Sequence, residues 1–403
     1  MRRAGLWLPP LIALAALALL FGPVGSEPAS ADNAETRLVN AETKRAIKLG
    51  TQYLLALQQP DGSWHSNAGK KVNETYRVFA DGQNVPHVGV TSLAVLSLLA
   101  GGNIPGRGPH GDALDKAVDF ICNQVQPSSG YIAANGTRMY SHAFATLALA
   151  EVYGVSRREK VRNKLQEAIE FTIKSQNETG GWRYVPFTND SDMSVTVCQV
   201  VALRAARNVG IKVPRKTIER ALRYVIMSAI TSGARGSYMG AFWYQPHDQK
   251  FNRPSFALCA AGLTTLFQAG LYDDESVRKH IRTHEINKVP PPSIKRSVAY
   301  MRREYDTIHN RRGGPDHYFY YYGNYYAAQA MYQIGGKDPA QWARWYRMVR
   351  DDLLEMRRVQ RNRETGREEV FWTSNVDRTN AYATACALLI LQFPLDHLPI
   401  HQR

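Results

Sequence analysis

A repeated unit of roughly sixty residues is the feature of this sequence that most constrains its fold. Each copy begins with an amphipathic stretch and then gives glutamine, a short turn, glycine and an aromatic residue. The clearest copies run from Gln58 to Trp64 and from Gln176 to Trp182. Weaker copies end near Tyr131, Gly240–Trp243, Gly313–His317 and Phe371–Trp372. Six units therefore fill the chain after its N-terminal segment, which indicates a repeat protein.

The second half of each unit is apolar nearly all round and rich in small residues, which is typical of a buried helix. Several of these stretches end in glycine, as at Gly101 and Gly210, which suits a left-handed C-terminal cap. The first half of each unit carries charge on one side, as in Lys160–Lys174. The predicted buried helices are Val88–Ala100, Ser141–Tyr153, Asp192–Val209, Ser255–Ala269, Asn324–Ile334 and Asn380–Gln392.

Six such helical hairpins have one obvious way to bury their apolar helices. A single hairpin cannot cover its inner helix, whereas six hairpins in a ring can. Strand-like alternation of apolar and polar residues is nowhere sustained in the sequence. We therefore predict an all-α fold, an α/α toroid with an inner and an outer ring of helices. Residues 32–403 would form this toroid as a single domain.

The N-terminal segment has the pattern of a secretory signal peptide. Arg2 and Arg3 precede the apolar run Leu6–Val24, and Ala29–Ala31 supplies a small-x-small cleavage pattern. Residues 1–31 are therefore predicted to be removed, and the mature protein to be exported, as a periplasmic or secreted protein. The alternative is an uncleaved membrane anchor, against which prolines within the apolar run argue.

The charge of the chain points to an anionic partner. The formal net charge is +15, and Arg278–Arg312 carries ten lysines and arginines against three acidic residues. Because the protein is predicted to be exported, nucleic acid is not expected as a partner. An anionic lipid surface or an acidic polysaccharide fits this charge better. In a second basic stretch, Gln341–Arg367, with eight arginines against four acidic residues, solvated outer faces of helices are the plainer explanation.

Cysteine spacing gives no sign of a metal site. The four cysteines, which lie in predicted helices, form no C-x-x-C pair and lie at no zinc spacing from histidines. Whether they form disulfides is left open, since three pairings are possible. We predict neither a metal nor a cofactor. The cysteines are Cys122, Cys198, Cys259 and Cys386.

The Gln…Gly-x-Trp units closely resemble the repeats shared by protein prenyltransferases and squalene or hopene cyclases. The resemblance is strongest at Gln58…Gly62-Ser63-Trp64 and at Gln176…Gly180-Gly181-Trp182. In that family the tryptophan and the glutamine tie the turn to a helix end. The resemblance therefore implies the α/α toroid, and it does not by itself imply catalysis.

The resemblance also singles out two acidic residues. Class II terpene cyclases carry Asp-x-Asp-Asp at the start of an inner helix, where the middle aspartate protonates an alkene. Asp190 and Asp192 match the first two acids of this motif, and Met193 replaces the last. Asp190 and Asp192 are thus the candidate catalytic residues. The alternative is that Asp192 only caps the inner helix that follows it.

The candidate ligand-binding residues are mostly aromatic. Aromatic walls stabilise carbocations, stack on sugars or hold isoprenoid tails. An unusual run of tyrosines precedes and enters the fifth inner helix, Trp243 lies in the fourth unit, and two histidines lie near the starts of inner helices. The predicted ligand-binding residues are His87, His142, Trp243, Tyr320, Tyr322, Tyr325 and Tyr326.

Together these features predict an exported toroid that binds an isoprenoid-like or other extended apolar molecule in a central aromatic cavity. Cyclase-like chemistry is left open, because Met193 replaces a carboxylate of the motif. Two alternatives come from other classes of protein. One is a non-catalytic toroid that binds a peptide or protein, and the other is a polysaccharide lyase or hydrolase.

Overall fold

The computed structural model describes residues 35–68, 84–133, 137–231, 238–246, 254–284, 286, 290–310 and 319–401. The predicted signal peptide lies outside these residues. Six apolar helices form the inner ring: α2 (Val88–Ala100), α4 (Met139–Ser156), α6 (Met193–Asn208), α8 (Phe256–Gln268), α11 (Tyr320–Gly335) and α13 (Ala381–Leu391). Six outer helices precede them in turn: α1 (Ala41–Ala56), α3 (Gly111–Asn123), α5 (Glu159–Lys174), α7 (Arg215–Met227), α10 (Ile294–Asn310) and α12 (Pro339–Met356).

Several smaller elements lie outside this pairing in the described ranges, among them two short 3-10 helices, Thr36–Leu38 and Phe393–Leu395. Helix α9 (Asp274–Thr283) is an additional surface helix between α8 and α10. Strands β1 (His65–Ser66) and β2 (Val85–Pro86) pair antiparallel before α2. Strands β3 (Arg358–Arg361) and β4 (Glu368–Phe371) form a second antiparallel pair between α12 and α13. None of the described helices is long and apolar enough to cross a membrane.

The inner helices form a closed ring. Each contacts the next in the order α2, α4, α6, α8, α11, α13, and α13 packs back against α2. Every residue of α2 is buried, so this helix is covered on all sides. The outer helices bury only one face, as expected of amphipathic helices at a surface. The predicted α/α toroid of six helical hairpins is confirmed.

Hydrogen bonds explain why the Gln…Gly-x-Trp motif is repeated. The indole N–H of Trp182 donates to the carbonyl of Thr172 at the end of α5, at 2.9 Å. The backbone N–H of Trp182 donates to Thr196 Oγ1 of α6, at 3.0 Å. Gln176 donates to the carbonyl of Thr217 in the next outer helix, at 2.9 Å. One motif therefore links its own outer helix, its inner helix and the following hairpin.

The same bonds recur in the first and last units. Trp64 donates to the carbonyl of Leu54 and to Thr91 Oγ1, at 2.7 and 2.9 Å. Trp372 donates to the carbonyl of Leu353, at 2.7 Å, although the β3–β4 pair separates the two residues in sequence. That insertion is why the last copy of the repeat is hard to find in the sequence.

Replacing Thr91 by valine tests the link from the tryptophan to the inner helix. The change leaves the buried N–H of Trp64 without its acceptor, so we expect a loss of about 2 kcal/mol in the free energy of unfolding. Thr265→Val is the matched control, since this buried hydroxyl donates to Ala261 of its own helix. Urea denaturation should show the smaller loss for the control. Equal losses would contradict the proposed role of the Trp64 bond.

The C-terminal residues close the ring at the ends of the inner helices. Leu398, Ile400 and His401 are buried there. The backbone N–H of Ile400 donates to the carboxyl of Glu151 on α4, at 3.3 Å, and His401 stacks on Phe393 with ring centroids 4.2 Å apart. Glu151 is only 2% exposed, so an acidic side chain lies inside the closed end.

The structure also shows the state of the cysteines. All four are buried and free. Each lies in a described helix, where it packs as a small apolar side chain.

Candidate functional site

The starts of the inner helices lie side by side at one end of the ring. Gly89 of α2 lies close against Ser141 of α4, and Gly323 of α11 lies close against Ala257 of α8. A side chain on either glycine would touch the neighbouring helix. We call this end the mouth. It is marked by the residues that immediately precede the six inner helices, which are His87, Arg138, Asp192, Ser255, Phe319 and Asn380.

Asp192 caps α6, as the alternative interpretation of the sequence predicts. Its Oδ1 accepts hydrogen bonds from the backbone N–H of Val195, at 2.9 Å, and from the Ser194 hydroxyl, at 2.6 Å. Its Oδ2 accepts from Arg183, at 2.9 Å. The side chain has no exposed surface, and its two oxygens are occupied by three donors.

Arg183 joins the two acidic residues that the sequence singles out. Its Nε lies 3.1 Å from Asp190 Oδ2, and its Nη1 lies 2.9 Å from Asp192 Oδ2. Nη1 also donates to the Tyr244 hydroxyl, at 2.8 Å. The two carboxylates differ in access, because the Asp190 side chain is 57% exposed and that of Asp192 is fully buried.

Tyrosines from different parts of the ring surround this ion pair. Tyr140 of α4 donates to the Ser194 hydroxyl, at 2.5 Å, and Tyr322 of α11 donates to the carbonyl of Ser194, at 2.9 Å. The hydroxyls of Tyr184 and Tyr244 lie 2.5 Å apart. We call these residues the tyrosine–arginine cluster, which consists of Tyr140, Arg183, Tyr184, Asp192, Ser194, Tyr244 and Tyr322.

The electrostatics of the cluster favour a fixed network of hydrogen bonds. Burial raises the pKa of Asp192, and the hydrogen bonds from Ser194, Arg183 and the Val195 backbone oppose that rise. Burial also raises the pKa of Tyr140 and of Tyr322 well above the ordinary tyrosine value. Their hydroxyls therefore stay protonated and act as donors.

Three of the four predicted tyrosines of α11, Tyr322, Tyr325 and Tyr326, reach into the interior of the ring, whereas Tyr320 lies near Asp352 of the outer helix α12. Tyr325 contacts Phe144 of α4 with ring centroids 6.2 Å apart, and the Tyr326 hydroxyl donates to Cys198 Sγ of α6, at 3.0 Å. Tyr320, Tyr325 and Tyr326 are buried, whereas Tyr322 is partly exposed. Side chains from α11 thus reach across to α4 and α6, so they fill the centre as well as line it.

The two predicted histidines are buried, and each has both ring nitrogens bonded. His87 Nδ1 accepts from the Val90 N–H and Nε2 donates to the carbonyl of Ala68. His142 Nδ1 accepts from the Ile132 N–H and Nε2 donates to Thr172 Oγ1. Burial lowers the pKa of His87 and lowers that of His142 to about 3. A role for either in ligand binding stays a prediction.

Partly exposed aromatic side chains distinguish the mouth. Trp243 and Tyr244 precede α8, Tyr184 lies in the loop before α6, and Tyr140 and Phe144 lie on the first turns of α4. Tyr140 contacts Tyr184 and Tyr322, with ring centroids 5.7 and 6.4 Å apart. Aromatic faces and polar groups are therefore accessible together at one end of the ring.

In this conformation only one of the two candidate catalytic carboxylates at the mouth is accessible to a substrate. Asp190 is accessible, but Asp192 is covered by Arg183, Ser194 and the start of α6. No group of three histidines, cysteines or acidic residues that could hold a metal occurs among the residues that the structure describes. A catalytic role for Asp190 and Asp192 stays a prediction.

Sequence reasoning missed most of the tyrosine–arginine cluster. The signal that could have indicated three of its residues is their place just after the aromatic residue of a repeat. Arg183 and Tyr184 come one and two residues after Trp182, and Tyr244 comes two residues after Phe242. Tyr140 carries no motif, and only the closure of the ring brings it to Tyr322.

Comparisons with known proteins show the fold class. The sequence matches no family profile and no curated protein. Cellobiose 2-epimerase from Spirochaeta thermophila superposes with a TM-score of 0.57 and 13% identity, covering 92% of this chain and 99% of its own. An inactive variant of an alpha-1,6-mannanase from Salegentibacter, solved with alpha-1,6-mannotriose, gives 0.55 at 8% identity, covering 88% and 99%.

A type II terpene cyclase from Scytonema, solved with merosterolic acid A, has a TM-score of 0.46 at 13% identity, covering 87% and 96% of the two chains. The chain is an α/α-toroid protein. This architecture is shared with the mannanase and the epimerase, and at such identities the likeness shows the fold alone.

Proposed function

We propose that this protein binds a carbohydrate chain at the mouth of the toroid. The observation that carries the proposal is the combination of partly exposed aromatic rings with the Arg183–Asp190 ion pair. Aromatic faces stack on sugar rings, and guanidinium and carboxylate groups hydrogen-bond to hydroxyls. The mannanase and the epimerase, whose names refer to saccharides, add support from the same architecture.

The interior of the ring supports this ligand class over an extended apolar one. Tyr322 and Tyr326 reach across to α6, where their hydroxyls are bonded to Ser194 and Cys198. A buried polyene would have to displace these rings and leave their hydroxyls without partners, which costs free energy. A saccharide at the mouth needs no such rearrangement. The isoprenoid-like ligand indicated by the sequence stays a prediction.

Hydrolysis of the bound chain is the second candidate function. Asp190 and Asp192 are held by one guanidinium at the mouth, and paired carboxylates are what glycoside hydrolysis requires. For Asp192 to reach a substrate, its link to Arg183 would have to open. We therefore propose binding as the primary function. Export through the predicted signal peptide would bring the protein to extracellular or periplasmic polysaccharide, and its net charge favours acidic chains.

Calorimetric titration tests the proposal with four probes: manno-oligosaccharides, cello-oligosaccharides, an oligomer of uronic acid, and geranylgeraniol. We expect at least one saccharide to bind. Tyr184→Ala should weaken that binding by about tenfold, whereas Tyr184→Phe, which keeps the ring, should weaken it less. Trp243→Ala should also weaken it.

Tyr272→Ala is the matched control, because this 43% exposed tyrosine follows α8 at the opposite end of the ring. It should leave saccharide binding unchanged. Binding of geranylgeraniol alone, lost in Tyr184→Ala, would overturn the carbohydrate proposal in favour of an apolar ligand. Release of reducing ends in the same samples, abolished by Asp190→Asn, would establish hydrolysis.

A further inference from the structure

A groove of about 570 Å³ lies at the end of the toroid opposite the mouth. It runs between the first half of α10, the last turn of α11 and the start of α12, and the end of α8 contributes to it. We call it the α10 groove. Its volume falls within the range of small-molecule sites in proteins.

The floor of the α10 groove is apolar. Ile294 and Val298 lie one turn apart on α10, and Phe267 and Ile334 come from the ends of α8 and α11. Tyr272 extends this surface, since its ring stacks on Phe267 with centroids 6.0 Å apart. An apolar chain would therefore bury its surface against aliphatic and aromatic side chains.

The rim of the groove is positively charged. Lys295 and Arg302 are exposed on α10, seven residues and therefore about 10 Å apart along the helix. Neither forms an ion pair with any residue in the described ranges. On the opposite wall Lys337 lies 3.0 Å from Asp273. The one carboxylate among the lining residues, that of Asp338, accepts from the Gln341 N–H as the cap of α12.

A buried amide in the wall lacks a partner. Gln341 lines the groove and is only 9% exposed. Its Nε2 has no hydrogen-bond acceptor among the residues that the structure describes. A buried donor without an acceptor is costly, so this amide is a weak point in the wall of the groove. This observation is independent of the charge on the rim.

We propose that the α10 groove binds a single-chain anionic amphiphile, a molecule with one apolar tail and a carboxylate or phosphate head. The tail lies on Ile294, Val298 and Phe267, and the head is held by Arg302 and Lys295. The volume suits one chain, and the net positive rim selects an anionic head over a neutral one.

Displacement of a dansyl-labelled undecanoic acid, followed by fluorescence, tests this proposal on the full chain. The competitors are laurate, dodecyl phosphate and dodecanol. We expect the two anionic competitors to displace the probe and the alcohol to do so much less. The stronger of the two anions identifies the head group. Arg302→Glu should weaken probe binding by about tenfold or more.

Arg296→Glu is the matched control, since it makes the same charge change on an exposed residue of α10 that does not line the groove. It should leave binding nearly unchanged. Ala299→Trp, which places a large side chain at the lining, should abolish binding while circular dichroism stays that of the parent.

If Arg296→Glu and Arg302→Glu weakened probe binding equally, binding would depend only on the net charge of the protein, and the proposal would be overturned. Equal displacement by dodecanol and laurate would overturn the role of the cationic rim. Sedimentation with phosphatidylglycerol vesicles without any binding of single-chain anions would indicate a membrane surface instead. Because none of these residues lies at the mouth, failure here leaves the carbohydrate proposal untouched, and the reverse also holds.

Discussion

Asp192→Ala is expected to lower the free energy of unfolding by about 3 kcal/mol, more than the loss of a helix cap alone. The change removes the cap of α6 and leaves the guanidinium of Arg183, 21% exposed, without its buried partner. Asp192→Asn should also be destabilising, by about 2 kcal/mol, because an amide cannot accept from both Val195 and Arg183 as the carboxylate does. If Asp192 only capped α6, the asparagine variant would be nearly silent, because asparagine caps a helix about as well as aspartate.

Asp338→Asn is the matched control for that prediction. Asp338 also caps a helix, but it is exposed and has no ion pair in the described part of the chain. Asparagine caps about as well as aspartate, so this variant should unfold like the parent in urea. If Asp192→Asn matched Asp338→Asn in stability, the buried ion pair with Arg183 would have no energetic role.

Glu151→Gln is expected to stabilise the protein at alkaline pH and to leave it nearly unchanged at acidic pH. Burial raises the pKa of Glu151 from 4.5 to about 8. The folded protein therefore keeps a proton that the unfolded chain releases, and stability falls as the pH rises from 4.5 to 8. The difference between the two pKa values corresponds to about 5 kcal/mol of folding stability, which is lost once the pH is above 8. Glutamine is neutral at every pH, so the variant escapes the loss.

Thermal unfolding at about pH 5 and about pH 8.5 measures the effect. Glu355→Gln, at an exposed position on α12, is the control and should shift the melting temperature by the same small amount at both values. A Glu151→Gln variant whose advantage over the parent did not grow with pH would show that the carboxyl is not held neutral in the closed end.

The fold could be predicted because each repeat carries its own recognisable pattern of an amphipathic helix, a turn and an apolar helix. Helix α2 spans the predicted residues, and the other inner helices differ from prediction mainly at their ends. The largest difference is in α11, which begins at Tyr320 and not near Asn324. Consecutive tyrosines have no clear helical period, so the start of this helix depends on where their rings pack. Tyr321 contacts Tyr382 of α13, and Tyr322 reaches α4 and α6.

The candidate site could be predicted only in part, for a related reason. Asp190 and Asp192 stand next to a recognisable motif, and the structure joins them through Arg183. The tyrosines that complete the cluster come from positions as far apart as Tyr140 and Tyr322. Their proximity depends on how many hairpins lie between them around the ring, which no local pattern encodes.

The contact between α13 and α2 has a consequence for how the repeats can change. In an open solenoid the end units have one neighbour each, so copies can be added or lost there. In this toroid Gln392 of the last unit donates to the Ser97 carbonyl of the first, and every inner helix has two neighbours. An extra hairpin would have to break that contact and widen the ring around the packed tyrosines. The six copies are therefore free to diverge in sequence, as their unequal motifs show, while their number is fixed by geometry.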